Sequence, residues 1–66
     1  MRVIVNDQPQ ETQAQTLADL LQEMGVAHEA AVAAAVDGAV VSRGKWGYHA
    51  LKEGAEILVI RAAQGG

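Results

Sequence analysis

A chain of 66 residues without a single cysteine must close its core on side-chain packing alone. Domains this small commonly rely on disulfides or a structural metal, because burial barely exceeds the roughly 1.5 kcal/mol of conformational entropy lost per ordered residue. Without cysteine, such staples are excluded, and so are thiol nucleophiles and thiol redox chemistry. Aliphatic side chains therefore carry the fold: 50% of the residues are hydrophobic, yet only 3% are aromatic and none is Phe. One domain spanning 1–66 is expected. Its apolar runs break at Asp37, Arg43 and Lys52, far short of the roughly 20 residues of a membrane span, so a soluble chain without a membrane partner is predicted.

Charge narrows the partners. Five Lys and Arg against eight Asp and Glu give a formal net charge of -3, which leaves no clustered cations for a phosphate backbone. Nucleic acid is not an expected partner. Met1 and Arg2 lead into a short mixed run rather than an apolar leader with a small-residue cleavage site, so a cytoplasmic location is expected.

Met1 to Val5 reads as a strand, with Val3 and Val5 on one face and Ile4 on the other. Asn6-Asp7-Gln8-Pro9 favours a turn, and the polar stretch Gln10 to Gln13 is predicted as the second strand of a hairpin, at a sheet edge, with wettable side chains throughout. Thr16-Leu17-Ala18-Asp19 carries the pattern of a helix N-terminus, a hydroxyl that can cap the amide three residues on. Leu17, Leu20, Leu21 and Met24 then form one stripe at helical spacing. Gly25 supplies the stop, and Val26 can fold back on the last turn.

Ala30 to Val36 and Ala39 to Val41 flank Asp37-Gly38, a strong signal for a two-residue hairpin turn. The alanines also suit a helix, but Val32, Val36 and the turn favour strands. Ser42 to His49 fits no period and is read as irregular. Leu51 to Ala55 is a turn around Gly54. Glu56 to Arg61 is the last strand, and its apolar residues on both faces point to a central position. The remainder, Ala62-Ala63-Gln64-Gly65-Gly66, is expected to project as a tail. Hairpin, helix, hairpin, loop and strand make an α+β domain with a mixed sheet packed on one helix.

No set of residues here makes a catalyst. Neither G-x-x-x-x-G-K-[ST] nor G-x-G-x-x-G occurs among the glycines. His28 and His49 lie apart in different loops, so no metal site is predicted. Ser42 has no general base beside it, and the domain is too small for an enclosed pocket. Trp46 and Tyr48, set among Arg43 and Lys45, have the composition of an interface anchor. Packing is the favoured reading for Trp46, since a core without Phe leaves room for it.

The terminal Gly65-Gly66 is the remaining chemical feature. A carboxylate is a poor acyl donor until a leaving group is attached, and adenylation by a partner would make the Gly66 carbonyl electrophilic. Residues without Cβ can thread a narrow channel and adopt whatever φ and ψ an active site imposes. A frayed end is the bland alternative.

The opening Val3-Ile4-Val5-Asn6-Asp7-Gln8, the helix Thr16-Leu17-Ala18-Asp19-Leu20-Leu21, the segment Arg43-Gly44-Lys45-Trp46-Gly47-Tyr48-His49 and the ending Ile57-Leu58-Val59-Ile60 to Gly65-Gly66 together resemble the sulfur carrier proteins of bacterial thiamine biosynthesis, the ThiS family. The resemblance runs the whole length and implies a β-grasp, ubiquitin-like fold with a flexible C-terminal Gly-Gly tail. It also implies a protein co-substrate rather than an enzyme, with no bound cofactor. An E1-like enzyme, ThiF, would spend ATP to adenylate Gly66. A persulfide sulfur donor would convert the adenylate to a thiocarboxylate, and thiazole synthase, ThiG, would take the sulfur. Gly65 and Gly66 would be the residues the partners recognise in the tail. The sheet face and the segment around Trp46 are candidate docking surfaces.

Two other readings stay open. The small subunit of molybdopterin synthase, MoaD, shares the ending and the chemistry but tends to be longer. A ubiquitin-like module that binds without covalent chemistry belongs to a different class. Ubiquitin-type conjugation is disfavoured because no basic residue immediately precedes Gly65.

Overall fold

The computed structural model describes residues 1–61. Asn6 and Asp7 take φ of 50° and 67°, left-handed values that a two-residue type I′ turn requires. They join strand β1 (Arg2–Val5) to β2 (Gln8–Glu11), with Val5 opposite Gln8 and Ile4 opposite Pro9. The turn is therefore shorter than expected, and Pro9 belongs to the strand. β2 lies at the sheet edge, where a residue lacking N–H interrupts no second ladder. The strand also ends sooner than predicted, at Glu11. Thr12, expected to be wettable, is buried. Its hydroxyl donates to Glu23 Oε1 at 2.5 Å and accepts from the Ala14 N–H at 2.9 Å, and these bonds offset the loss of hydration.

Helix α1 (Leu17–Glu23) begins as its sequence predicts, with Thr16 Oγ1 accepting from the Asp19 N–H at 3.2 Å. At its end Gly25 sits at φ 76°. The Gly25 N–H reaches the Gln22 carbonyl at 3.0 Å and the Val26 N–H reaches that of Leu21 at 3.1 Å, the bond pair of a Schellman stop. Leu17, Leu20 and Leu21 are fully buried, each contributing about 1.5–3 kcal/mol. Met24 packs against the same core.

Strands β3 (Val32–Val36) and β4 (Ala39–Val41) flank Asp37 and Gly38 at φ 50° and 87°. β3 starts at Val32 rather than Ala30. The link before it is held elsewhere, because the Arg43 guanidinium donates to the carbonyl of Ala27 at 2.7 Å and to that of Glu29. The segment read as irregular is a 3-10 helix, Arg43–Tyr48. Six residues with glycine at two positions show no stripe, yet the local bonds form: the Lys45 N–H donates to the Ser42 carbonyl at 2.8 Å. This turn serves to bring Trp46 under the sheet.

β5 (Glu56–Arg61) completes a mixed sheet of order β2-β1-β5-β3-β4, parallel to β1 and antiparallel to β3. Arg61, which sequence assigns both to the last strand and to a projecting tail of residues 61–66, belongs to the strand, paired opposite Val32. Residues 62–66, with the tail assigned to them, lie outside the described residues. Val3, Val5, Val32, Ala34, Val36, Val41, Ile57 and Val59 form one buried sheet face, closed by the leucines of α1 and by Trp46. Among the described residues, no helix is long and apolar enough to cross a membrane.

Both hairpin turns hook onto β5. Asn6 Oδ1 accepts from the Val59 N–H at 2.8 Å and its Nδ2 donates to the Val59 carbonyl at 3.3 Å. Asp37 Oδ1 accepts from the Glu56 N–H at 2.9 Å, while the Asp37 N–H donates to the Glu56 carbonyl at 2.7 Å. The Asn6 amide thus acts as one more residue of the β1 ladder. Asn6→Gly preserves the left-handed backbone and removes only the amide. It is expected to cost about 1–3 kcal/mol, the span set by leaving the Val59 main chain unpaired, read from urea denaturation.

Candidate functional site

Alternation along β5 turns Ile57 and Val59 into the core and leaves Leu58 and Ile60 50% and 54% exposed on the opposite face. The strand is central, as its sequence implies, but only one of its apolar faces is covered. Val40 of β4, 81% exposed, adds a third apolar side chain without cover. A shallow depression of 380 Å³ lined by Ile4, Ala35, Val40 and Leu58 is rimmed by the carboxylates of Asp7 and Glu56. The sheet face is one of the two docking surfaces that the family resemblance suggests, but sequence singles out none of the exposed residues Val40, Leu58 and Ile60 for it. The signal was present in β3, where Ala33 and Ala35 alternate with buried neighbours and offer little bulk for a second packed layer.

At its C-terminal end β5 meets a different set of side chains. Arg61 grips Glu29 of the α1–β3 link through two parallel bonds, Nε to Oε1 at 3.0 Å and Nη2 to Oε2 at 2.9 Å. Such a fork is the strongest geometry available to an Arg–carboxylate pair. The same link is held from below by Arg43, whose guanidinium lies 4.5 Å from the centre of the Trp46 ring. Trp46 is 4% exposed, and its Nε1 donates to the Val41 carbonyl at 2.9 Å. Packing was the favoured reading of this residue, and its burial withdraws it as an interface anchor. Tyr48, from the same segment, points outward and is 86% exposed.

The other candidates stay apart. Ser42 is exposed beside the 3-10 helix, and His28 and His49 lie on separate links. Among the described residues no group of three or more His, Cys, Asp or Glu is arranged to hold a metal ion. Gly65 and Gly66, the sites named for modification and tail recognition, lie outside the described residues. What the structure describes is their platform: a central strand with an open apolar face, secured at its last residue by Glu29.

The fold is similar to that of a thiamine biosynthesis protein, ThiS, from Geobacter metallireducens, whose crystal structure matches with a TM-score of 0.82 at 23% identity, covering 100% of both chains. The solution structure of a thiamine biosynthesis protein from the same organism matches with the same TM-score and identity, over 100% of this chain and 88% of that one. At such identity the likeness establishes the β-grasp fold. A comparison with curated proteins returned no match. The model of the ThiS family matches residues 3–66, nearly the whole sequence and with it both terminal glycines, and the chain therefore belongs to the ThiS family.

Proposed function

We propose that this chain is the sulfur carrier for thiazole formation in thiamine biosynthesis, with the Gly66 carboxyl as the group that is activated, loaded and discharged by partner enzymes. The observation that carries this reading is the family match through residue 66, which joins Gly65-Gly66 to a β-grasp domain. A Gly66 carboxylate oxygen attacks the α-phosphorus of ATP on a ThiF-type enzyme, forming the acyl-adenylate and releasing pyrophosphate. A persulfide sulfur then attacks the carbonyl carbon and displaces AMP. A thiol cleaves the resulting S–S bond, is itself oxidised to a disulfide, and leaves the thiocarboxylate on Gly66. That sulfur, nucleophilic at neutral pH, passes to a thiazole synthase of the ThiG type. The domain contributes no catalytic group and acts as a protein co-substrate.

The open sheet face is the docking surface for the activating enzyme. Leu58 and Ile60 belong to the strand that leads directly into residues 62–66, so a protein that captures Gly66 meets them first. Intact-mass measurement after incubation with a ThiF-type enzyme, ATP and a persulfide source tests the reading, with exchange of one oxygen for sulfur as the expected result. An unchanged mass would overturn it. In the same assay Leu58→Arg is expected to slow loading by about tenfold or more, the scale of a central interface residue, without lowering thermal stability.

A further inference from the structure

We infer that Glu29 and Arg61 form a positioning pair that fixes the point from which the acyl-bearing segment leaves the domain. This deepens the carrier reading and rests on it. Three observations carry it. First, the β1–β5 pairing ends at Val5 opposite Ile57, and the Asn6 amide extends it only to Val59. Ile60 and Arg61 keep β3 alone as a ladder neighbour, opposite Ala33 and Val32. A strand end with one neighbour frays more readily than one with two.

Second, the pair sits at the last rung of that ladder. Arg61 is opposite Val32, the first residue of β3, and its guanidinium reaches across to Glu29, 32 positions earlier in the sequence. Both bonds are made within one planar fork, which restrains the direction of the side chain as well as its distance.

Third, Glu29 is not on a loose loop. Arg43 donates to the carbonyls of both Ala27 and Glu29 and stacks on the Trp46 ring, which is itself buried and bonded to β4. A continuous series of contacts runs from the core through Trp46, Arg43 and Glu29 to Arg61. The exposure of Arg61 and Glu29, 61% and 32%, makes the pair a weak contributor to global stability. Its effect falls instead on the spread of directions open to the backbone at Arg61, the last described residue of β5. A narrower spread lowers the ordering entropy lost when a partner takes up the chain end, which is the usual way that preorganisation improves binding.

Glu29→Ala, Arg61→Ala and the double variant are to be compared with the wild type in ATP–pyrophosphate exchange by a ThiF-type enzyme. Each single variant is expected to raise the KM for the carrier about three- to fivefold, the range open to a partly exposed pair, with kcat and thermal midpoint unchanged. The double variant is expected to be no worse than either single one, because both remove the same interaction. Backbone relaxation of the free protein is expected to show lowered order at Ile60 and Arg61 in all three. Unchanged KM in Glu29→Ala would overturn the inference, as would additive effects, which would mean that Arg61 touches the enzyme directly. A wild-type chain that is not activated at all would instead bring down the carrier reading, and this inference with it.

Discussion

Deletion of Gly66 is expected to abolish acyl-adenylate and thiocarboxylate formation while leaving the domain folded. Shortening the chain by one residue withdraws its terminal carboxylate by about 3.3–3.6 Å. In-line attack on ATP requires reacting atoms held about 3–3.5 Å apart, and a misplacement of only about 1 Å can already cost around a hundredfold. The truncated carboxylate thus falls outside the reacting geometry altogether. Stability should not follow, because among the described residues the last core position is Val59, seven residues before Gly66. Intact mass reads the chemistry and thermal denaturation reads the fold. A truncated chain that still acquires sulfur would show that Gly66 is not the loaded residue.

The second large effect concerns the core. Trp46→Ala is expected to lose about 3–5 kcal/mol, the usual cost of emptying a buried aromatic site. The Val41 carbonyl loses its donor as well, and Arg43 loses the ring it lies against. Domains of this size have about 3–10 kcal/mol in total, at roughly 0.05–0.15 kcal/mol per residue, so the variant should lose about a third of its stability or more. Tyr48→Ala, from the same segment, is expected to stay within about 0.5 kcal/mol of wild type, as an exposed side chain should. Urea titration of the pair gives the contrast. An unshifted midpoint for Trp46→Ala would mean that this residue belongs to an interface after all.

The elements that could be read from sequence are those whose physics is local. Thr16 and Gly25 bracket α1 because a cap needs only the residues within one turn of it. Asp37-Gly38 specifies its hairpin through two φ values. The chemistry proposed for the Gly-Gly ending rests on the sequence and the family alone, since both glycines lie outside the described residues. What escaped were consequences of distant contacts. The Asn6 amide finds Val59 across 53 positions and Glu29 finds Arg61 across 32, and no periodicity records either. The length of the Asn6-Asp7 turn was misjudged for a related reason. Pro9 reads as a breaker unless the strand holding it is known to have a single neighbour. The sheet face enters as a docking surface only through the family resemblance, because hydropathy along β5 says which residues are apolar, not whether a second layer exists to cover them.

The central position of β5 also sets an order of events during synthesis. Ile4 and Glu56, partners in the parallel ladder, are separated by nearly the whole chain, and contacts of such high sequence separation form late. Until residues 56–61 are made, the two hairpins have no common strand and the leucines of α1 have no complete sheet to lie on. A nascent or prematurely terminated chain is therefore an open, proteolysable polypeptide. On the carrier reading proposed above, the segment that completes the fold is also the one that leads toward Gly65-Gly66, so an activating enzyme would meet a folded domain and its acyl group together.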